Sequence, residues 1–145
     1  MLRIMKEADL PIVLELEEQL FTSTWKKDDF LYEMNENPFS QMFVWEEDSQ
    51  IIGYMGIWII FEQAQLTNLA VSKKFQGKGY GRKLLDEGIK ICQDAGCELM
   101  TLEVRQSNVP AKSLYTSMGF EKVSVKKDYY QDNHEDADVM MKGLI

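Results

Sequence analysis

LTNLAVSKKFQGKGYGRKLL, residues Leu66 to Leu85, reads as an apolar strand, a short basic turn carrying Gly77, Gly79 and Gly81, and the start of an amphipathic helix. Such a turn can cradle phosphate. Glycines let backbone N–H groups approach an anion that side chains would fend off, and the helix start adds unpaired donors and the positive end of its dipole. The spacing narrows the ligand. A nucleotide-triphosphate loop needs G-x-x-x-x-G-K-[ST], whereas Gly81 is followed by Arg82, Lys83 and Leu84, with no hydroxyl for magnesium. The dinucleotide fingerprint G-x-G-x-x-G fails as well, because its third glycine falls on Arg82 when counted from Gly77 and on Leu84 when counted from Gly79. What remains is Gln76-Gly77-Lys78-Gly79-Tyr80-Gly81, a Q-x-x-G-x-G string. By itself it serves equally as a flexible connection between strand and helix.

The 145 residues predict one domain spanning 1–145, and a chain of this size buries on the order of 70% of its unfolded surface. Hydrophobic residues at 45% and charged residues at 28% describe an ordinary globule rather than a disordered chain. The opening MLRIMKEADLP has no apolar signal core. The longest apolar stretch, near Trp58, is about ten residues, half a membrane span, so a cytoplasmic protein without membrane contact is expected. Cys92 and Cys97 lack C-x-x-C spacing and histidine partners and read as a reduced, partly buried pair; with His134 the sole histidine, no metal is expected. A formal charge of −8 makes nucleic acid a poor direct partner and a basic partner a better one. The oligomeric state is not encoded in any of this, and a monomer is compatible with it.

Periodicity predicts the remaining elements. Leu2 to Met5 reads as a strand, followed by a helix capped by Asp9, with Pro11 in its first turn and Leu10, Val13, Leu14 and Leu20 on one face. A second helix carries Phe30, Leu31 and Met34 and stops at Asn37-Pro38. Gln41 to Trp45, a turn over Glu46 to Gln50, and Ile51 to Ile60 form a hairpin, in which Gly53 and Gly56 mark a bulge or a close backbone approach. Leu66 to Val71 is the strand entering the glycine turn. The next helix has Leu84, Leu85, Ile89, Cys92 and Ala95 on a stripe and ends at Gly96. Glu98 to Arg105, Lys122 to Lys127 and Val139 to Leu144 read as strands, with a helix from Pro110 to Met118. The sum is a mixed α/β sheet in three layers.

From Leu102 the chain reads LEVRQSNVPAKSLYTSMGF, in which Asn108, Ala111, Leu114, Tyr115, Gly119 and Phe120 form N-x-x-A-x-x-L-Y-x-x-x-G-F. The Q-x-x-G-x-G loop resembles the pyrophosphate loop of the GCN5-related N-acetyltransferases (GNAT), and this second string is similar to the C-terminal acetyl-CoA motif of the same superfamily. With Tyr129-Tyr130 and the following Glu135-Asp136-Ala137, the chain resembles the bacterial ribosomal-protein alanine N-acetyltransferases, the RimI type, most specifically from Asn68 to Met140.

The resemblance implies an α+β fold whose mostly antiparallel sheet is splayed between its fourth and fifth strands, with helices on both faces and the pantetheine arm of acetyl-CoA in the gap. It implies main-chain contacts to pantetheine from Leu69, Ala70 and Val71, and a grip on the diphosphate from Gln76, Gly77, Lys78, Gly79, Tyr80, Gly81 and Arg82. Asn108 would contact the CoA arm, Glu103 would be the general base and Tyr115 the general acid. Tyr129, Tyr130, Glu135 and Asp136 would form an acidic lip over the basic N-terminal segment of a ribosomal protein, the eighteenth of the small subunit. The residue types suit the chemistry. An α-amine of pKa roughly 7.7 to 8.0 is about a tenth neutral at pH 7, so a carboxylate acting through water or after partial burial suffices as base. A tyrosine near pKa 10 can hydrogen-bond a thiolate of about 8.5 more readily than protonate it.

Each residue also has a purely structural reading. Glu103 could pair with Arg105 on one strand face, Tyr115 could pack in the core, Asn108 could cap a helix, and Lys78, Arg82 and Lys83 could be a solvated basic turn. The acidic stretch from Asp132 to Asp138 could be a polar connection, with His134 exposed in it. A different acceptor (lysine, polyamine or another small amine) or a silent acetyl-CoA-binding partner protein are the competing functions. Lys126 and Lys127 stand where an arginine commonly precedes the tyrosine pair, a departure from the family pattern.

Overall fold

The chain runs β1 (Leu2–Ile4), α1 (Leu10–Leu20), α2 (Lys27–Asn35), β2 (Ser40–Glu47), β3 (Gln50–Ile60), β4 (Gln63–Val71), α3 (Tyr80–Asp94), β5 (Leu99–Arg105), α4 (Val109–Ser117), β6 (Glu121–Lys126) and β7 (Ala137–Gly143) in the computed structural model, which describes residues 1–145. The strands form one sheet in the order β1-β2-β3-β4-β5-β7-β6, antiparallel except between β4 and β5. One core packs α3 and α4 on a face of this sheet, and a second packs α1 and α2 on the other. The predicted three-layer mixed sheet is therefore present. In the larger core Leu84 and Leu85 of α3 are fully buried, each worth about 1.5–3 kcal/mol of apolar burial.

Two features of β4 shape the site. Its parallel pairing with β5 covers only Gln63 to Leu66 against Leu99 to Leu102. Beyond that, β4 continues to Val71 beside β3 and β5 continues to Arg105 beside β7, so the two strands part into the expected splay. The second feature is a bulge: Gly56 pairs with Asn68 and Ile57 with Leu66, leaving Thr67 without a partner. One inserted residue exchanges the faces of a strand. Accordingly Ala64 and Leu66 face α3 and α4 before the bulge, Leu69 and Val71 do so after it, and Ala70 turns to the α1 and α2 side. Gly56 is required opposite the bulge, since a Cβ there would lie 2.6 Å from Thr67 Oγ1 and 2.7 Å from Asn68 Oδ1.

Several local expectations shift. The β2–β3 turn narrows to Asp48 and Ser49, both at positive φ (50° and 61°), the backbone twist that suits a two-residue hairpin. β4 starts at Gln63 rather than Leu66, because partners on both sides extend it past its apolar run. Asp9 precedes α1 without capping it; its carboxylate accepts the Lys6 N–H at 2.8 Å and pairs with Arg3 at 2.8 Å. Leu14 and Leu20 are only partly buried, and Leu16 and Glu17 fill the buried face of α1 instead. Ala95 is exposed, while Gly96 ends α3 at φ 87°. Cys92 and Cys97 are free thiols and fully rather than partly buried, with burial pushing Cys92 up to about 12. No helix is long and apolar enough to cross a membrane.

Candidate active site

The glycine turn leads straight into α3. Gly77 and Gly79 hold φ of 78° and 89°, which side-chain-bearing residues rarely adopt, and Gly79 is the residue before the first helical turn. The first bonded amides on either side are Gln76, whose N–H donates to Lys73 O, and Lys83, whose N–H donates to Gly79 O. The N–H groups from Gly77 to Arg82 find no acceptor in the protein. A run of free amides at a helix N-terminus has the donors and the dipole that suit an anion. The side chains here do other work. Gln76 Nε2 donates to Val71 O at 2.9 Å and closes the loop, and the Tyr80 hydroxyl donates to Glu47 at 2.7 Å. Arg82 donates to Ser117 Oγ at 2.6 Å, while Lys78 and Lys83 lie over the rings of Phe75 and Tyr80 at 5.6 and 5.0 Å. Gln76 and Tyr80 thus belong to the loop by position, with their side-chain polar groups committed elsewhere.

The splay opens a cleft of about 680 Å³, walled by β4, β5, α4, the α1–α2 connection and the β6–β7 loop. Leu69, Glu103, Asn108, Tyr115, Tyr129 and Tyr130 all line it. The Ser72 N–H donates to Ile52 O, so by antiparallel alternation the Leu69 and Val71 amides point away from β3 and into the gap. Ala70 points its main chain at β3 and its side chain at the α1 and α2 core, contrary to its expected contact with pantetheine. Asn108 caps α4 by accepting the Ala111 N–H at 3.2 Å, the structural reading, while it also lines the cleft. Tyr115 is 8% exposed, packs against Phe120, and is pushed above the ordinary tyrosine value by burial and then by Tyr130. Glu103 does not pair with Arg105; its partner is Lys126, at 2.5 Å. The Glu103 carboxylate in turn leads in pushing the Tyr129 phenol up to about 12.

Arg105 instead organises the β6–β7 loop. It reaches Asp132 at 2.9 Å, Asn133 at 3.1 Å and Glu135 at 3.3 Å, and its guanidinium stacks 3.9 Å from the centre of the Tyr130 ring. Asp132 also accepts the Thr22 hydroxyl at 2.7 Å, strapping this loop to the α1–α2 connection across the cleft. Glu135 and Asp136 do not face the cleft as expected. Glu135 accepts the Ser107 N–H at 2.7 Å and Asp136 the Asp128 N–H at 2.8 Å, and neither residue lines the cleft. The acids of the lip are also paired within the protein, Asp132 and Glu135 with Arg105 and Asp136 with Lys127 at 3.1 Å.

A family model described as Acetyltransferase (GNAT) family matches residues 10–120, from α1 through the glycine loop to Phe120. The chain belongs to this family of acetyltransferases. Among GNAT relatives, a Bacillus subtilis (strain 168) protein provisionally named a ribosomal protein bS18-alanine N-acetyltransferase is 40% identical over 138 residues, 95% of this chain and 91% of its own length. The Haemophilus ducreyi (strain 35000HP / ATCC 700724) protein named bS18-alanine N-acetyltransferase is 33% identical over 130 residues, 90% of this chain and 88% of its own. The crystal structure of the ribosomal-protein-S18-alanine N-acetyltransferase from Escherichia coli superposes with a TM-score of 0.90 at 27% identity, covering 99% of this chain and 93% of that one. A GNAT protein from Elizabethkingia anophelis, solved with acetyl-CoA bound, shares the fold at a TM-score of 0.82 and 20% identity, covering 99% of this chain and 97% of its own.

Three GNAT-cleft features escaped the sequence reading. Glu17 is 3% exposed, accepts the Tyr54 hydroxyl and the Trp25 N–H (the latter at 2.9 Å), and has no cationic partner. Its signal was present: position 17 is seven residues after Leu10, on the apolar stripe of α1. Thr67 Oγ1 and Asn68 Oδ1 are buried without partners at the bulge and border the cleft, acceptors that a bound amide or amine could satisfy. The loop-organising role of Arg105 had no local signal, since its partners lie 27 to 30 residues away.

Proposed function

We propose that residues 1–145 form one acetyl-CoA-dependent N-α-acetyltransferase domain that acetylates the N-terminal alanine of ribosomal protein bS18 in the cytoplasm, where ribosomal proteins are made. The observation that supports this reading is one cleft in the gap between β4 and β5, lined by Glu103 and Tyr115, with the six unpartnered amides of the glycine turn following β4 in the chain. The names and coverage of the GNAT relatives support the choice of acceptor. Acetyl-CoA, when bound, supplies the acetyl group as a thioester; its diphosphate suits the amides of Gly77 to Arg82 and its pantetheine the outward-facing amides of Leu69 and Val71. Asn108 keeps its side-chain amide N–H₂ available for the same arm.

Glu103 takes the proton of the acceptor amine, directly or through water. The Val71 N–H, which points away from β3, would receive negative charge that develops on the carbonyl oxygen. Tyr115, held by burial above the ordinary tyrosine value, stays protonated and would hydrogen-bond the leaving thiolate, which would take its proton from water. Tyr129 and Tyr130 flank the entering chain, held by Lys126 and Arg105. Purified protein given acetyl-CoA and a basic peptide starting with alanine acetylates its α-amine and releases CoA thiol. Glu103→Gln lowers kcat by about 10²-fold or more, the usual worth of a positioned base, and Tyr115→Phe lowers it less. Acetylation of spermidine but not of the peptide assigns a different acceptor; wild-type rates in both variants remove the catalytic roles.

A further inference from the structure

Glu103 already carries a cation of its own. Lys126 Nζ lies 2.5 Å from Glu103 Oε1 and 5.2 Å from the centre of the Tyr129 ring, a cleft-lining residue. The lysine stands on β6 and Glu103 on β5, with β7 between them, and its register partner on β7 is the fully buried Ala137. Its side chain spans that strand. The Glu103 side chain is 15% exposed and that of Lys126 50%, so the cationic end of the pair faces the solvent from which an acceptor arrives. Arg105, the cation lining the cleft, is occupied by Asp132 and Glu135.

From this contact we infer that Lys126 is a specificity-determining residue: its ammonium holds the place on Glu103 that a charged acceptor would take, so the site favours amines that arrive neutral. The inference rests on the reading of Glu103 as the group that receives the acceptor's proton. An α-amine is about a tenth neutral at pH 7, whereas an ε-amine near pKa 10.4 is neutral in well under a thousandth of molecules. A bare carboxylate would draw the charged form of either amine. A carboxylate already matched by Lys126 offers the charged form no net attraction, and Nζ repels it. Selection against lysine side chains and polyamines is thereby built from repulsion at the reacting end, independent of the width of the cleft.

The test compares kcat and KM for an alanine-starting peptide, the same peptide Nα-acetylated with one internal lysine, and spermidine, in wild type, Lys126→Gln and Lys126→Arg. Where turnover of a charged amine is too slow to measure, its inhibition constant against the alanine peptide reads the same preference. Lys126→Gln raises the preference for both charged acceptors over the alanine peptide by about fivefold, through KM, on the scale of a half-exposed charge pair. Lys126→Arg keeps the wild-type ratio. A ratio unmoved in Lys126→Gln, or an arginine variant behaving like the glutamine one, overturns the inference while turnover of the alanine peptide leaves the function standing. Wild type that never turns over the alanine peptide overturns both.

Discussion

Glu17 shows how one residue couples packing to pH. Its carboxylate is buried among α1, Tyr54 of β3 and the Trp25 amide, and no lysine or arginine answers its charge. Burial holds its pKa above the ordinary glutamate range, more than the hydrogen bonds from Tyr54 and Trp25 bring it down. A carboxyl whose folded pKa lies above its unfolded value of about 4.3 contributes stability that is fully present below that value and lost as pH rises through the folded one. Glu17→Gln removes this dependence. Thermal melts from pH 4 to 8 should show wild type losing ground to Glu17→Gln as pH rises; parallel curves would mean that the carboxyl titrates as it does in the unfolded chain.

At the scale of elements, the wall of the cleft depends on a loop with little core of its own. The β6–β7 loop between Lys126 and Ala137 is held by Arg105 and by the strap from Thr22 to Asp132. Arg105→Gln frees the acids, unstacks Tyr130 and loosens the loop, while the cores on either face of the sheet stay intact. KM for the alanine peptide then rises by roughly tenfold, about 1.4 kcal/mol, with kcat less affected, and amide exchange quickens at residues 128 to 136. Unchanged exchange in that loop would show that Arg105 does not hold it. The glycine turn was legible because everything that defines it is local: three glycines, a strand before and a helix after. The bulge at Thr67 was marked only by Gly56 on the neighbouring strand, because a bulge is a mismatch between two strands and belongs to neither alone.

For the molecule as a whole, the charge of −8 is spent partly on internal pairs. Asp9 is held below its ordinary pKa first by Arg3, at 2.8 Å. Asp138, 1% exposed, is pushed up by burial and brought below its ordinary value by Lys112 and Gln106, then Lys122, with the lysines at 2.9 and 3.4 Å. Groups with depressed folded pKa values contribute stability that is present above the unfolded value of about 3.9 and lost as pH falls through the folded one. The fold should therefore weaken below about pH 4, opposite in sign to the effect of Glu17. Asp138→Asn flattens that acid limb, checked by melts from pH 2 to 7, and an unchanged limb would place acid sensitivity elsewhere.

Strand, turn and helix identities and the glycine turn at residues 76 to 82 were legible in the sequence alone, because each rests on periodicity, glycine placement or spacing within a few turns of chain, and two motifs carried the resemblance to the family. Tertiary structure decided which partners those residues keep. Glu103 chose Lys126 over the nearer Arg105, Glu135 and Asp136 turned inward to loop amides, and Ala70 rotated out of the gap behind a one-residue bulge. Charge and hydrogen-bond partners follow distance in space, and only the closed sheet sets those distances.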